Sequence, residues 1–167
     1  CLIYASGFEV GTDYSRRAGF QLYGRHGHSL AETWAGGVRT LHGMHVHGFP
    51  NCFILSNPQS GFTASYPHML NEQAKHLAYV IRKGIDAKWN ALEVTPEAEQ
   101  AWIDQCIAKA RDVGDFFENC TPGYYNNEGK IGERSAQDGF YGGGPVEFIK
   151  ILETWRAADA LEGLERR

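Results

Sequence analysis

The hydrophobic pattern of this 167-residue chain changes character near residue 60. Before that point, short apolar and β-branched runs alternate with glycine-rich breaks, a pattern typical of short strands joined by turns. The predicted strands cover residues 1–5, 20–23, 38–41 and 52–55. After it, apolar residues recur at helical spacing. The sequence therefore predicts a mixed structure with strands in its first part and helices in its second.

The first helix is predicted over residues 67–84. One face carries apolar residues at intervals of four, three and four: Leu70, Ala74, Leu77 and Ile81. Glu72, Lys75 and Arg82 fall on the other side. An amphipathic helix buries its apolar face, so we expect the Leu70 face to be the inner one.

Two more helices have start signals. Thr95-Pro96-Glu97 supplies an N-cap, a proline at the first helical position and an acid in the first turn, and apolar spacing extends this helix to about Glu118. The last helix starts after Gly142-Gly143-Gly144-Pro145 and directs three large side chains inward: Phe148, Leu152 and Trp155. Residues 120–130 are rich in Gly, Pro and Asn and are predicted to form a loop.

The composition limits the classes of binding partner that we expect for this chain. Lys and Arg number 16 against 20 Asp and Glu, a net charge of −4, so nothing electrostatic favours nucleic acid or an anionic membrane. No run reaches the roughly 18 apolar residues that a membrane-spanning helix needs. The four cysteines show no paired spacing, which favours a reducing, cytoplasmic location. We expect a small-molecule or protein partner.

Five of the seven histidines lie between residues 26 and 47 and include two His-x-His pairs, His26/His28 and His45/His47. Residues two apart on a strand share a face, so such a pair can chelate a transition metal, with Glu32 completing a facial triad. A cupin-like metal-binding domain is therefore one alternative. The glycines around the first pair favour a turn instead, so we assign no metal ligand.

No nucleophile elbow or P-loop occurs, and no catalytic residue is predicted. Two stretches have the backbone that a ligand site needs. Tyr4-Ala5-Ser6-Gly7-Phe8 is an apolar strand that ends in small residues. Residues 48–61 form a turn, a buried strand and a polar loop that leads into the helix at Pro67. The amino end of that helix suits an electron-rich group such as the pyrimidine edge of a reduced flavin.

These two stretches resemble the end of the FAD domain in flavin-containing monooxygenases of the Baeyer–Villiger type. Gly48-Phe49-Pro50-Asn51 followed by Phe53, and Pro58-x-Ser60, are similar to two of the family's sequence elements. The resemblance implies a set of residues beside the cofactor: Ala5, Ser6, Gly7, Asn57, Pro58, Gln59, Ser60, His68 and Met69. It also implies a loop on the substrate and nicotinamide side, with Tyr124, Tyr125, Asn126 and Lys130.

The resemblance implies an α/β fold, mixed α+β when isolated. Residues 1–84 would end a Rossmann-like FAD-binding domain, and residues 85–167 would form a helical C-terminal extension. The implied activity inserts oxygen into a ketone to give an ester or lactone, with FAD and NADPH as cofactors. Because the family's dinucleotide fingerprints and its active-site arginine do not occur here, the implied partner is an N-terminal portion that binds FAD and NADP. The isolated chain is expected to be inactive.

The chain opens directly in an apolar run, Cys1-Leu2-Ile3-Tyr4-Ala5, which suggests a cut at a core strand. We expect that strand to complete a parallel sheet whose other strands belong elsewhere. Self-association through the open sheet edge, or an interaction module that docks its first strand on another chain, are the remaining expectations.

Overall fold

The computed structural model describes residues 1–3, 14, 18–55, 57–111, 119 and 135–166. Seven helices and strands occur in this part of the chain: α1 (Leu30–Thr33), α2 (Tyr66–Asp86), β1 (Leu92–Val94), α3 (Pro96–Ala108), α4 (Ser135–Asp138), α5 (Pro145–Ala158) and β2 (Leu164–Arg166). A 3-10 turn, Arg25–Gly27, precedes α1. The predicted mixture of helix and strand is confirmed.

The sheet differs from the expectation. Within the described residues, β1 and β2 form a two-stranded antiparallel sheet in which Val94 pairs with Leu164. The strands predicted at 20–23, 38–41 and 52–55 are wrong, because these segments make only isolated bridges, for example His45 with Phe53. Turns recur every few residues there and leave no room for a ladder. Of the strand predicted at residues 1–5, the described part is irregular, with Leu2 and Ile3 each 85% exposed.

Helix α2 is confirmed in position, and its inner face is the predicted one only in part: Leu77 is buried in the core as predicted, whereas Ala74 is exposed. The side chains turned into the core include Met69, Gln73, His76 and Val80. Ile81, predicted to be buried, is 42% exposed. The helix is apolar over more than one side, so its periodicity alone does not reveal which side the rest of the chain covers.

Helix α3 begins as predicted, with the Thr95 hydroxyl accepting a hydrogen bond from the Ala98 N–H at 3.1 Å. The predicted extension to Glu118 is wrong, since α3 ends at Ala108. The Gly142 segment lies against this end: a Cβ at Gly142 would be 1.8 Å from the Lys109 carbonyl oxygen. The Arg111 Nε also donates to the Gly142 carbonyl at 3.0 Å. Tertiary contact, which the local sequence does not encode, accompanies the end of the helix.

Helix α5 follows the prediction closely. It starts at Pro145 and buries Phe148 and Leu152 completely, and Trp155 packs against the same core. This main core cluster draws on every long helix and on both strands, with members such as Met69, Trp102, Phe148, Val94 and Leu164. None of the helices in the described part of the chain combines the length and hydropathy needed to cross a bilayer.

A smaller core cluster lies under the first part of the chain. Its buried members are Leu30, Val46, Phe49 and Ile54. Between the two clusters run the turns that carry residues 40–60. Those turns are therefore packed from two sides, which fixes the loop at 57–60.

Candidate functional site

Residues 57–60 form a tight turn in which Pro58 and Asn57 are half-buried and Gln59 and Ser60 are fully buried. The Ser60 N–H donates to the Asn57 carbonyl at 3.2 Å, and the Ser60 hydroxyl donates to the same oxygen at 2.9 Å. Gln59 adopts a left-handed backbone conformation with φ of 57°. A non-glycine residue in this region is held there by its surroundings.

The side chain of Gln59 holds this turn in place. Its Oε1 accepts a hydrogen bond from the Thr40 hydroxyl at 2.6 Å. Its Nε2 donates to the carbonyls of Val38 at 2.7 Å and Gln137 at 3.0 Å. The amide of Gln59 is thus used inside the protein, and the Trp102 indole donates to the Gln59 carbonyl at 3.2 Å. Gln59 positions the loop and does not offer its side chain to a ligand.

Close backbone contact completes this support. At Gly43, which has φ of +72°, a Cβ would lie 2.9 Å from the Ser60 Cβ and 3.0 Å from the Pro58 carbonyl oxygen. The Tyr141 N–H donates to the Ser60 carbonyl at 2.9 Å. The loop is therefore rigid on its inner side, and its outer backbone, at Asn57 and Pro58, is the part left to meet a ligand.

Five residues separate this turn from the start of helix α2 at Tyr66. Its N-cap, Ser65, makes no side-chain capping hydrogen bond, and its first turn carries no acid. His68 is exposed there, whereas Met69 is buried in the core. Pro67 has no N–H to offer, and the His68 N–H donates to the Ser65 carbonyl at 3.0 Å. The positive end of the helix dipole, with no negative side chain in the first turn, still favours an electron-rich group placed against it.

An exposed pair of aromatic rings borders the loop. Phe62 and Phe140 stack with ring centroids 4.4 Å apart, and both remain almost half exposed. Sequence reasoning missed this pair, because the two residues are far apart in the chain. It also missed Thr40, Gln137 and Trp102 as supports of the loop, and no local signal marks them.

The turn at Gly48-Phe49-Pro50-Asn51 is held by two buried carboxylates. Glu93 on β1 accepts from the Gly48 N–H at 2.9 Å, and Glu99 on α3 accepts from the His47 N–H at 2.8 Å. Arg25 pairs with Glu93, and Arg39 pairs with Glu99 at 3.1 Å. Buried charges that are paired and hydrogen-bonded fix geometry more than they add stability. The turn is thereby tied to the helical part of the chain.

Asn51 has a structural role at the same turn. Its N–H donates to the Leu92 carbonyl at 2.9 Å, and its side-chain Oδ1 accepts from the Leu92 N–H at 3.0 Å. Its Nδ2 donates to the Asn90 carbonyl at 3.0 Å. Asn51 therefore extends the edge of β1 rather than facing the loop at 57–60.

The His-x-His pairs do not form a metal centre. His26 and His28 are exposed around a 3-10 turn, and the Glu32 carboxylate accepts hydrogen bonds from the Ser29 N–H and hydroxyl in a capping box. These bonds lower the pKa of Glu32. In the described residues no three His, Cys, Asp or Glu side chains are arranged to hold a metal ion. The cupin-like alternative has no support.

Several predicted site residues lie outside the described residues. They are Ala5, Ser6 and Gly7 of the first stretch and Tyr124, Tyr125, Asn126 and Lys130 of the loop at 120–130. Their roles stay predictions. The described site consists of the turn at 57–60, the start of α2 and the Phe62–Phe140 pair.

Comparison with known proteins shows which proteins have a sequence similar to this chain. No family model matches the chain. The chain is 46% identical over its whole length to neopentalenolactone D synthase of Streptomyces avermitilis and covers 28% of that protein. It is 39% identical over 93% of its length to a Baeyer–Villiger monooxygenase of Streptomyces coelicolor, covering 26% of it. An FAD-binding monooxygenase of Hypomyces subiculosus is 35% identical over 99% of the chain, which covers 27% of it.

The solved structures that match this chain are also monooxygenases. A polycyclic ketone monooxygenase of Thermothelomyces thermophila matches with a TM-score of 0.80 and 32% identity over 92% of this chain and 25% of its own. A steroid monooxygenase bound to NADP matches with a TM-score of 0.71 and 27% identity, over 88% of this chain and 26% of its own.

The proteins whose fold and sequence match this chain are thus flavin-dependent monooxygenases, and the match covers one region of them. More particularly, the chain is homologous to a part of the Baeyer–Villiger monooxygenases, and it spans about a quarter of the length of the proteins that it matches.

Proposed function

We propose that this chain is the flavin-edge region of an FAD- and NADPH-dependent Baeyer–Villiger monooxygenase, an enzyme that inserts oxygen into a ketone to give an ester or lactone. The observation that carries the proposal is the turn at 57–60. Its inner side is locked by Gln59, and it leads into a helix start with no side-chain cap and no acid in its first turn.

The comparisons support the cofactors and the substrate class. One relative is named as FAD-binding, and one matching structure is named as bound to NADP. Another is named for polycyclic ketones. These properties belong to those proteins, and homology over nearly the whole of this chain supports extending them to the enzyme of which it would be part.

The residues present fit the electron-rich edge of a flavin. The positive end of the α2 dipole is suited to receive it, and an acid in the first turn, which would repel it, does not occur. FAD, when bound, supplies the redox chemistry. This chain's own contribution is to orient that edge through the Asn57 and Pro58 backbone and to exclude water with the exposed Phe62–Phe140 pair.

Further parts of the proposal rest on the resemblance. Ala5, Ser6 and Gly7 would pass beside the cofactor, and Tyr124, Tyr125, Asn126 and Lys130 would face ketone and nicotinamide. An N-terminal portion would bind most of FAD and NADP, residues 1–84 would close its domain, and the location would be the cytoplasm.

The test is a full-length chimera in which this chain replaces the 169-residue stretch that it matches in the 46%-identical relative. We expect a folded, yellow protein with one FAD per chain and ketone-dependent consumption of NADPH. His68→Glu places a negative charge in the first turn of α2, which favours the helix itself but repels the flavin edge. It should weaken FAD binding at least tenfold at unchanged melting temperature, whereas His68→Gln should bind normally.

Val146→Glu is the matched control, because Val146 is exposed in the first turn of α5 and the change adds the same charge to another helix start. It should leave FAD binding unchanged. A chimera that folds, as judged by circular dichroism, but stays colourless contradicts the proposed function. Equal FAD affinity in His68→Glu and His68→Gln contradicts the placement at α2.

A further inference from the structure

Beside its buried face, helix α2 carries further apolar side chains that the described residues cover only in part. We define the outer stripe of α2 as Leu70, Ala74, Ala78, Ile81 and Ile85. At 100° per residue these five positions fall within an arc of about 80°. The buried positions, such as Met69, His76 and Val80, lie on a different side. Leu77, which is buried in the core, lies about 20° from Leu70, so the core face and the outer stripe together span about 200° of the helix, roughly twice the width of an ordinary apolar stripe.

The outer stripe is exposed and uncharged. Ile85 is 65% exposed and Ile81 is 42% exposed, and the two alanines between them and Leu70 are exposed as well. The charged residues of the helix stand beside the stripe, where Arg82 pairs with Asp86 at 2.9 Å. Lys75 pairs with Glu72 at 2.7 Å. Contiguous apolar surface of this kind marks an interaction site.

A groove continues the stripe at its carboxyl end. It holds about 220 Å³ and is lined mainly by apolar side chains, among them Phe53, Ile81, Ile85, Trp89 and Leu92. Its wall joins α2 to β1 and to the segment that bridges His45. The stripe forms a ridge and the groove forms a depression beside it. A helix or sheet that packs here would need a surface complementary to both.

We propose that the outer stripe of α2 and this groove are where the rest of the polypeptide, the flavin-binding part of the proposed enzyme, docks on this chain. The proposal rests on the proposed function. Its occupant follows from length: the chain matches proteins of which it spans about a quarter, and the same fold lies within a chain four times longer at a TM-score of 0.80. An apolar stripe that is exposed in this part of a larger fold is the surface that the remainder of that fold would cover.

The experiment compares thermal unfolding of two proteins, the 167-residue chain and the full-length chimera described above. In the chain alone, Ile85→Glu changes an exposed side chain and should leave the melting temperature within 2 °C, because surface substitutions cost little. In the chimera the same change buries an unpaired carboxylate and should lower it by about 5 °C or more. Ala74→Glu, at the other end of the stripe, should behave in the same way.

Ile107→Glu is the control, because Ile107 is also about half exposed but lies on α3, outside the stripe and groove. Its effect should be equally small in both proteins. If Ile85→Glu and Ala74→Glu also act equally in chain and chimera, the docking surface is wrong. If the chain alone is a dimer that Ile85→Glu dissociates while the chimera is unaffected, the occupant is a second copy and the proposal is overturned.

These results are independent of the flavin test. A chimera that unfolds cooperatively without FAD still tests the docking surface. A yellow chimera whose melting temperature the stripe variants do not lower would support the proposed function and contradict the docking surface.

Discussion

Two groups of buried polar side chains lie side by side in this molecule, and they differ in whether their polar atoms are hydrogen-bonded. At the loop, Gln59 is fully buried and its amide makes three hydrogen bonds. At the centre of the core, the buried histidines His42, His45 and His76 leave four ring nitrogens without a hydrogen-bond partner in the described residues. Trp102 touches both groups.

The histidine cluster is held by ring contacts instead. His42 lies 5.6 Å from His76 and 4.9 Å from Trp102, centroid to centroid, and His76 lies 4.9 Å from Trp155. Desolvation by burial lowers the pKa of His42 to about 3, of His45 to about 4 and of His76 to about 2. The positive Arg156 lowers the pKa of His76 further. The three rings are therefore neutral in the folded protein.

The difference separates two uses of buried polarity. A fully bonded network fixes one backbone conformation, and losing one partner leaves the others unsatisfied. An unbonded cluster fixes nothing by hydrogen bonding and adds a dependence on pH. The hydrogen bonds of Gln59 thus hold the loop in one conformation. The histidine cluster fills space in the core, and protonating it would destabilise the folded state.

The largest effect should come from acid. The folded pKa values lie below the ordinary 6.5, so the unfolded chain binds protons that the folded chain does not. Stability is therefore complete above pH 6.5 and falls as the pH drops below it. Each histidine should cost about 2 kcal/mol at pH 5, or roughly 6 kcal/mol together. Urea unfolding measured from pH 7 to 4.5 tests this.

The pH range over which stability falls distinguishes the effect of the histidines from that of the carboxylates. Hydrogen bonds lower the pKa values of Glu32, Glu147 and Asp159 below their ordinary 4.5, 4.5 and 3.8, so their contributions are lost only at lower pH. His28→Gln, at an exposed histidine, should leave the curve unchanged. A flat free energy of unfolding between pH 6.5 and 4.5 would show that the cluster is solvated.

The next effect should come from Gln59→Leu. The change keeps the side chain's size and leaves the Thr40 hydroxyl and the Gln137 carbonyl without their partner. We expect a loss of about 3 kcal/mol of unfolding free energy at pH 7. Gln100→Leu, at an exposed glutamine, is the control and should cost about 0.5 kcal/mol or less. Equal losses in the two variants would remove Gln59 as the support of the loop.

Thr40→Val tests the same network from the other side. The Thr40 hydroxyl donates to Gln59 and accepts from the Gly43 N–H at 3.0 Å, so its removal takes away two buried hydrogen bonds. The expected cost is about 2 kcal/mol, and Thr40→Ser, which retains the hydroxyl, should cost about half of that. If serine is no better than valine, packing of the methyl group and not hydrogen bonding explains the loss.

The smallest effect at neutral pH should be that of His76→Leu. Both ring nitrogens of His76 are unpartnered in the described structure, so an apolar side chain of similar size loses no hydrogen bond. Stability at pH 7 should change by about 1 kcal/mol or less, and the acid penalty should shrink by about a third. A loss comparable to that of Gln59→Leu would show that the contrast between the two groups is wrong.

Local signals predicted the helices well. Thr95-Pro96 and Pro145 mark the starts of α3 and α5, and the spacing of Phe148 and Leu152 identifies the inner face of α5. The sequence also predicted a loop before the helix at Pro67, and the structure has the turn at 57–60 there, whereas its place beside a cofactor stays a prediction. Capping and periodicity act over a few residues, so the sequence shows them directly.

The remaining features depend on residues distant in the chain. The partners of Gln59 lie 19 to 78 residues away, and α3 ends where the Gly142 segment lies against it. The sequence therefore determined where the three long helices begin and which loop precedes α2. Only the tertiary structure decided that Gln59 faces inward, that Met69 and not Ile81 lies in the core, and that one apolar side of α2 stays open. The physical reason is that burial is set by what packs against a side chain, and that partner is not encoded in its neighbours along the chain.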